Sequence, residues 1–266
     1  MNDYKSYILN ELQKIDTKLK FVIKADNTLK SELYNFLNNG SKRIRSIVTI
    51  LYLKCLNIDI SDNLINLIVA TELIHNASLM HDDVIDNAEN RRGKETIAHK
   101  YSNKASVLLG DYIMSVAVDI LNNINNKIVS DNYMLCIKLM SEAEIEQLLN
   151  IKNKVSIEKY LHIIKGKTAS LFAALMASAA CLSGLDEAFA QKFGNLFGII
   201  YQIKNDTEKD SMENDEENGV QTIVNILGIE KANCLKDNYK EELRALLFGL
   251  PDNIFRKNLE DLIGSL

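Results

Sequence analysis

Three aspartates, Asp82, Asp83 and Asp86, follow an apolar stretch, and two arginines, Arg91 and Arg92, come shortly after them. The stretch contains no helix-stopping residue, and helix positions four apart share a face, so Asp82 and Asp86 are predicted to project together. Carboxylates at this spacing repel each other unless a cation lies between them. Mg²⁺ suits the pair because it binds oxygen and commonly takes one or two carboxylates, with phosphate oxygens and water. The arginines indicate phosphate, which a guanidinium group binds with two hydrogen bonds. The alternative is a solvated helix end with counter-charges.

A second charged cluster, formed by Lys42, Arg43 and Arg45, lies at the predicted start of a helix over residues 44–56. The N-terminus of a helix favours negative charge through its backbone N–H groups and its dipole, so cations there are otherwise unfavourable. A bound anion would explain the cluster, and a solvated turn is the alternative.

Two further stretches contain polar residues within apolar sequence. His75 lies seven residues before Asp82 on a similar helix face, where it could reach a diphosphate, although such a histidine is more often a core residue. Gly166 lies inside a predicted helix over 156–182, where glycine costs about 1 kcal/mol relative to alanine. It therefore indicates close packing or a local break at a ligand. Lys167 and Thr168 beside it could hold phosphate, or could simply be exposed.

A later apolar helix also ends in an acidic cluster, with Asn205, Asp206, Glu208 and Asp210. If two such helices face each other, acids line both walls of one cavity. The polar sequence that follows, residues 211–221, is predicted to be a mobile loop.

The length and the amino-acid composition indicate an all-α protein of one domain. A single proline and 11 glycines leave few breakers in long apolar periodic stretches. The net charge of −5 argues against nucleic acid as a partner. The sequence shows no signal peptide, and its longest weakly polar run, 171–182, is too short to span a membrane and is predicted to be a buried helix. The four cysteines are far apart in apolar sequence and are predicted to be reduced core residues of a cytoplasmic protein.

Several motifs in register make the chain resemble the trans-isoprenyl diphosphate synthases, or polyprenyl synthetases. These motifs are GSKRIR (40–45), ELIHNASLMHDDVID (72–86) with Arg91 and Arg92, LLGDYI (108–113), EAEIEQL (142–148), GKTASLF (166–172) and YQIKND (201–206). The resemblance implies a single-domain isoprenoid-synthase bundle of helices around a central cavity. It also implies Mg²⁺-dependent, head-to-tail condensation of isopentenyl diphosphate with an allylic diphosphate, and a homodimer or a heterodimer.

The resemblance also assigns roles to matching residues. Isopentenyl diphosphate would be held by Lys42, Arg45, His75 and Arg92. Mg²⁺ would bind Asp82 and Asp86, with Asp206 as a further ligand, and the allylic diphosphate would contact Arg91, Lys167 and Thr168. Gln202 would lie beside the reacting carbon.

The implied chemistry suits these residue types. Cations aimed at the departing diphosphate lower the barrier to ionisation, and a water-poor cavity protects the allylic cation. The released diphosphate is the implied base. Small Ala77, five residues before Asp82, lies roughly 7.5 Å deeper along the helix and leaves room for a growing tail. In this family that indicates products beyond fifteen carbons.

The chain departs from the family at its second acidic motif, DDxxD. Asn205 and Lys209 occupy two aspartate positions, and Asp210 comes one place late. The usual NGK-like segment corresponds to residues 218–220, which lack the lysine, and the C-terminal helices are short.

Three interpretations follow from this departure. The first is an active synthase in which Asp206, Asp210 or Glu213 replaces the missing ligands. The second is a weakly active or regulatory subunit of a hetero-oligomeric synthase. The third is an enzyme similar to a terpene cyclase, against which the complete isopentenyl diphosphate set argues. The sequence favours the first interpretation.

Overall fold

The structure, a computed structural model, describes residues 5–23, 27–38, 41–151, 153–208 and 221–266. Its contacts divide the chain into two compact units. The first unit contains residues 3–50 and 60–126, and the second contains residues 51–59 and 127–266. The expected single domain remains a prediction.

The first unit is helical apart from one short hairpin. After a 3₁₀ turn (Ser6–Ile8) it contains α1 (Leu9–Val22), α2 (Asn27–Asn38), the start of α3 (Ile44–Cys55), α4 (Asp62–Ile85), β1 (Asn90–Arg91), β2 (Lys94–Glu95), α5 (Ile97–Lys100) and α6 (Asn103–Asn123). The second unit is helical wherever it has regular structure among its described residues. Besides the end of α3 it contains α7 (Lys127–Leu149), α8 (Ile157–Ile164), a π-helical turn (Lys165–Ala169), α9 (Ser170–Leu182), α10 (Glu187–Thr207), α11 (Ile223–Leu227), α12 (Ile229–Leu247) and α13 (Ile254–Gly264). The all-α prediction is confirmed.

Helix α4 is the central element of the first unit. Ser61 caps it by accepting a hydrogen bond from the Leu64 N–H at 3.3 Å. Buried residues occur on all sides of the helix, which packs against α1 and α6. The Ser106 hydroxyl of α6 donates to the Met80 carbonyl at 2.8 Å. Asn87, with φ of 50°, follows the helix in the left-handed region.

Helices α9 and α10 form the core of the second unit. The alanine-rich α9 is buried over residues 170–180, which confirms the predicted buried helix. On α10, a Cβ at Gly194 would lie 2.6 Å from the Phe172 carbonyl oxygen, and one at Gly198 would lie 2.5 Å from the Ala169 Cα. Glycine at these two positions therefore permits close contact between the helix backbones.

Two sequence predictions need correction. The segment between α4 and α5, for which the sequence predicted no strand, contains the β1–β2 hairpin. Cys55 and Cys136 are buried as expected, but Cys181 is only partly buried and Cys234 is exposed. The predicted mobile loop lies outside the described residues except for Gln221, as do Lys209, Asp210, Glu213 and residues 218–220.

Two helical stretches of the described chain are long and apolar enough to cross a membrane by length and composition. One is Ile157–Leu182, whose most apolar window is 83% buried inside the protein, as expected of a core helix. The other is Asn103–Asn123, whose window is only 33% buried. The second stretch exposes apolar side chains, among them Leu108.

Candidate active site

The three aspartates at the end of α4 have different surroundings. Asp82 and Asp86 are partly exposed, whereas Asp83 is fully buried. The Arg91 Nε–H donates to Asp83 Oδ1 at 2.5 Å. Burial raises the pKa of Asp83, and the Arg91 guanidinium opposes that rise. The i, i+4 pair is therefore placed to bind a ligand, while the middle aspartate holds an arginine.

The hairpin that carries the arginines has a two-residue turn. Asn90 pairs with Glu95 and Arg91 with Lys94, leaving Arg92 (φ 52°) and Gly93 (φ 74°) between them. Positive φ at both central residues is typical of a type I′ turn. The Thr96 hydroxyl donates to the Ala88 carbonyl at 2.7 Å and closes the loop at its base. Arg91 and Arg92 are thus presented by a defined turn directly after the acidic helix end.

Arg43 is held by two carboxylates at the start of α3. Its guanidinium donates to Glu72 Oε2 at 3.0 Å and to Asp16 Oδ1 at 3.1 Å. Ser46 donates to the other Glu72 oxygen at 2.7 Å, and the Glu72 side chain is only 3% exposed. Arg43 has φ of 51°, so these contacts fix a left-handed residue between Lys42 and Arg45. Sequence reasoning missed the role of Glu72, which lies 29 residues away from Arg43.

His75 lies in a strongly positive environment. Burial lowers its pKa well below 6.5, and the charges of Arg45, Arg92, Arg91 and Arg43 lower it further. The structure therefore brings three members of the predicted isopentenyl diphosphate set, Arg45, His75 and Arg92, into one electrostatic neighbourhood. Lys42 is exposed, and no contact within the described chain fixes its side chain.

The π-helical turn of the second unit contains Lys167 and Thr168. A Cβ at Gly166 would lie 2.7 Å from the Ala143 Cβ and 2.9 Å from the Leu139 carbonyl oxygen, both on α7. The predicted close packing of this glycine is confirmed, and the helix becomes π-helical at the same place. Lys167 forms an ion pair with Glu144 of α7 at 2.6 Å.

A chain of hydrogen bonds joins Thr168 to α10 and beyond. The Thr168 hydroxyl donates to Gln202 Oε1 at 2.7 Å, and Gln202 Nε2 donates to Asp206 Oδ1 at 2.7 Å. The Tyr160 hydroxyl donates to Asp206 Oδ2 at 2.6 Å, and the Ile223 N–H donates to the same oxygen at 3.4 Å. Burial raises the pKa of Asp206, while the hydrogen bonds from Tyr160 and Gln202 act against the rise. A metal at Asp206 would have to share oxygens that protein donors already use, and that role remains a prediction.

No three His, Cys, Asp or Glu side chains of the described chain converge as a metal site. Two carboxylates nevertheless match Mg²⁺, which takes its other ligands from phosphate and water. Asp82 and Asp86 fit this requirement because both contribute oxygen, share a helix face and are partly exposed.

Residues 26–242 match the polyprenyl synthetase family. The chain belongs to this family. It is 31% identical over 201 residues to octaprenyl diphosphate synthase of Haemophilus influenzae, covering 74% of this chain and 61% of that protein. It is 36% identical over 215 residues to heptaprenyl diphosphate synthase component 2 of Bacillus subtilis, covering 76% and 59%. The match therefore spans about three fifths of the length of these relatives.

Comparison with solved structures shows the fold of this chain. A decaprenyl diphosphate synthase from Rhodobacter capsulatus matches with a TM-score of 0.90 and 22% identity, covering 98% of this chain and 97% of that chain. A geranyltranstransferase from Thermotoga maritima matches with a TM-score of 0.84 and 25% identity, covering 98% and 100%. The predicted isoprenoid-synthase fold is confirmed.

The predicted site residues of this polyprenyl synthetase fall into two groups. Lys42, Arg45, His75, Asp82, Asp86, Arg91 and Arg92 belong to the first unit, and Lys167, Thr168, Gln202 and Asp206 belong to the second. A cavity shared by both groups remains a prediction. Sequence reasoning also missed Asp83, Glu72 and Tyr160, the residues that hold Arg91, Arg43 and Asp206 in place.

Proposed function

We propose that this polyprenyl synthetase condenses isopentenyl diphosphate head-to-tail with an allylic prenyl diphosphate. The proposal rests on the environment of His75. The charges of four arginines act on this histidine, and its own helix, α4, ends in Asp82 and Asp86. This combination suits a polyanionic substrate on one side and a divalent cation on the other.

Arg45, His75 and Arg92, together with Lys42, are proposed to hold the isopentenyl diphosphate. The low pKa of His75 keeps its ring neutral at physiological pH, so it can still donate one hydrogen bond to a phosphate oxygen. Arg91 is kept in place by Asp83 and would contact the allylic diphosphate.

Asp82 and Asp86 would hold Mg²⁺, which when bound would neutralise charge developing on the departing diphosphate. Lys167, oriented by Glu144, would add a fixed positive charge to the same group. The allylic C–O bond breaks, the isopentenyl double bond attacks the resulting carbon, and the released diphosphate takes the final proton. Thr168 and Gln202, which are hydrogen-bonded to each other, would present oxygen dipoles to the allylic cation.

We also propose a surface of the chain that contacts a partner subunit. Leu108 on α6 is 68% exposed, and α7 exposes Ile128, Leu135 and Leu149 at multiples of seven residues, which lie on one face. Exposed apolar stripes mark contacts with partners. We assign them to a homodimer of a cytoplasmic enzyme.

A hetero-oligomeric subunit is the second candidate. Asn205 replaces a carboxylate of the second acidic motif, and one relative is named as component 2 of a heptaprenyl diphosphate synthase. In this case the chain would bind diphosphates but elongate them only with a partner.

Purified chain incubated with Mg²⁺, isopentenyl diphosphate and farnesyl diphosphate tests the proposal. We expect elongated prenyl diphosphates in the mass spectrum, with no product when EDTA is present. With geranyl diphosphate as the primer instead, products longer than fifteen carbons would also fit the buried, small Ala77. Elongation only after addition of a second subunit would support the second candidate. Release of a cyclic hydrocarbon would contradict both and indicate a terpene cyclase.

A further inference from the structure

Asp206 lies near the end of α10, where a metal ligand was expected, yet its side chain is almost completely buried. The residue is 4% exposed, and each of its carboxylate oxygens accepts at least one hydrogen bond from the protein. The donors come from three helices, because Tyr160 is on α8, Gln202 on α10 and Ile223 at the start of α11. This arrangement anchors a carboxylate inside the second unit.

The carboxylate also sets the direction of every hydrogen bond in the chain that leads to Thr168. An ionised carboxylate can only accept, so the amide nitrogen of Gln202 must face Asp206. The amide oxygen of Gln202 then faces Thr168 and accepts its hydroxyl proton. Thr168 has one O–H group, so it can present only lone pairs to a further ligand.

We propose that Asp206 is a positioning residue that orients the Gln202 amide and the Thr168 hydroxyl, and that it is not a magnesium ligand. The inference rests on the proposed prenyl transfer for its kinetic effect. If Thr168 contacts the allylic diphosphate by donating its hydroxyl proton, that hydroxyl must leave Gln202. Tyr160 supports the arrangement by donating to the carboxylate oxygen that Gln202 does not use.

Asp206→Asn tests the proposal because asparagine has nearly the same shape but carries a donor. The new amide can direct its NH₂ group at Gln202, which makes the Gln202 amide flip and reverses the bond to Thr168. We expect kcat to fall roughly tenfold to hundredfold through misplacement of these groups. The Mg²⁺ concentration that gives half-maximal activity should change by less than about twofold, as expected for a residue outside the metal shell.

Two control variants make the result interpretable. Glu242→Gln removes an exposed carboxylate of α12, paired with Lys192, and should leave kcat unchanged. Asp82→Asn removes a proposed metal ligand and should raise the Mg²⁺ requirement at least about tenfold. The proposal is overturned if Asp206→Asn raises the Mg²⁺ requirement as Asp82→Asn does, or if it leaves kcat at the Glu242→Gln level.

A measurement without substrate separates this proposal from the proposed function. Tyr160→Phe should lower the Tm by roughly 2–6 °C in the wild-type chain, because it removes a donor to a buried charge. In the Asp206→Asn background the same change should cost less than half as much, since a neutral partner binds the hydroxyl more weakly. Equal costs in the two backgrounds would show that the anchor does not exist in solution. If the chain proves inactive, Mg²⁺ titration calorimetry with an unreactive farnesyl thiolodiphosphate replaces the kinetic test. Loss of Mg²⁺ binding in Asp206→Asn would then refute the proposal.

Discussion

The ends of α4 and α10 have similar sequences but different structures. Both helices are long and apolar, and each contains aspartates near its C-terminal end. At the end of α4, Asp82 and Asp86 are partly exposed and arginines follow within one hairpin. At the end of α10, Asp206 is buried among neutral donors.

The difference shows that an acidic cluster on a helix does not identify metal ligands by itself. The surrounding residues decide its role, since Arg91 occupies the one buried aspartate on α4 and leaves the i, i+4 pair on the surface. At the end of α10, Gln202 and the Tyr160 hydroxyl of α8 donate to the carboxylate that the sequence assigned to magnesium. This contrast supports the proposal that the end of α4 binds metal and the end of α10 positions substrate.

The largest predicted effect concerns the metal site proposed at the end of α4. Asp82→Asn and Asp86→Asn should each lower kcat at least about 100-fold, because the charge on the departing diphosphate loses its counter-ion. Asp62→Asn, in the first turn of the same helix, is the matched control and should retain full activity. Steady-state rates across a Mg²⁺ titration measure the effect. Equal activity in Asp82→Asn and Asp62→Asn would remove α4 from the metal site.

The second prediction concerns the cationic cluster beside α4. Arg43→Met leaves buried Glu72 without its ion pair, which should cost about 3 kcal/mol in the free energy of unfolding. Because Arg43 lies between Lys42 and Arg45, the KM for isopentenyl diphosphate should also rise, about tenfold, as positioned cations are lost. Urea denaturation and initial rates measure the two effects.

Lys100→Met provides the control for Arg43→Met. It breaks the more exposed pair between Lys100 and Glu32, which should change the stability far less than loss of the Arg43–Glu72 pair. If Arg43→Met destabilises no more than Lys100→Met and leaves the KM unchanged, Arg43 does not organise the cluster.

The third prediction tests the packing that supports the α10 side. Gly166→Ala would place a Cβ against Ala143 and the Leu139 carbonyl oxygen. This overpacking should lower the free energy of unfolding by roughly 1–3 kcal/mol and reduce kcat through displacement of Lys167. A Cβ at Gly264 meets no atom within 4 Å, so Gly264→Ala is the control. Equal stability of the two variants would mean that the π-helical turn has room to relax.

The smallest effect concerns pH and belongs to the α4 side. The pKa of His75 is lower in the folded protein than its usual 6.5, so below that pH the unfolded chain binds a proton that the folded chain does not. Stability should therefore fall as the pH decreases from 7.5 to 5.5, and His75→Gln should reduce this fall by about 1 kcal/mol. His162→Gln replaces an exposed histidine and is the control. The same pH dependence in wild type and His75→Gln would contradict the positive environment described for this histidine.

The sequence predicted the helices, and the placement of Asp82 and Asp86 at the end of one of them, because both depend on local spacing. Asp82 and Asp86 share a face through helix geometry alone, and Gly166 revealed its close packing by being a glycine within a helix. The supporting residues could not be predicted, because they are distant in sequence. Glu72 is 29 residues from Arg43, and Tyr160 is 46 residues from Asp206.

The hairpin and the exposure of Cys234 were not predicted either, and both have a local cause. Each strand of the hairpin has only two residues, too few to show an alternating pattern, and Arg92 is an unusual residue for positive φ. Cys234 lies on α12, where the apolar neighbours suggested burial, but it occupies the exposed face.

A crystal structure of the chain with Mn²⁺ and an unreactive farnesyl thiolodiphosphate tests the central assignment most directly, because the anomalous signal locates each metal ion. We predict metal bound to Asp82 and Asp86 at roughly 2.0–2.2 Å from their oxygens, with the Asp206 carboxylate still bonded to Tyr160 and Gln202. A metal ion bound to Asp206, or no metal ion at Asp82 and Asp86, would contradict the account.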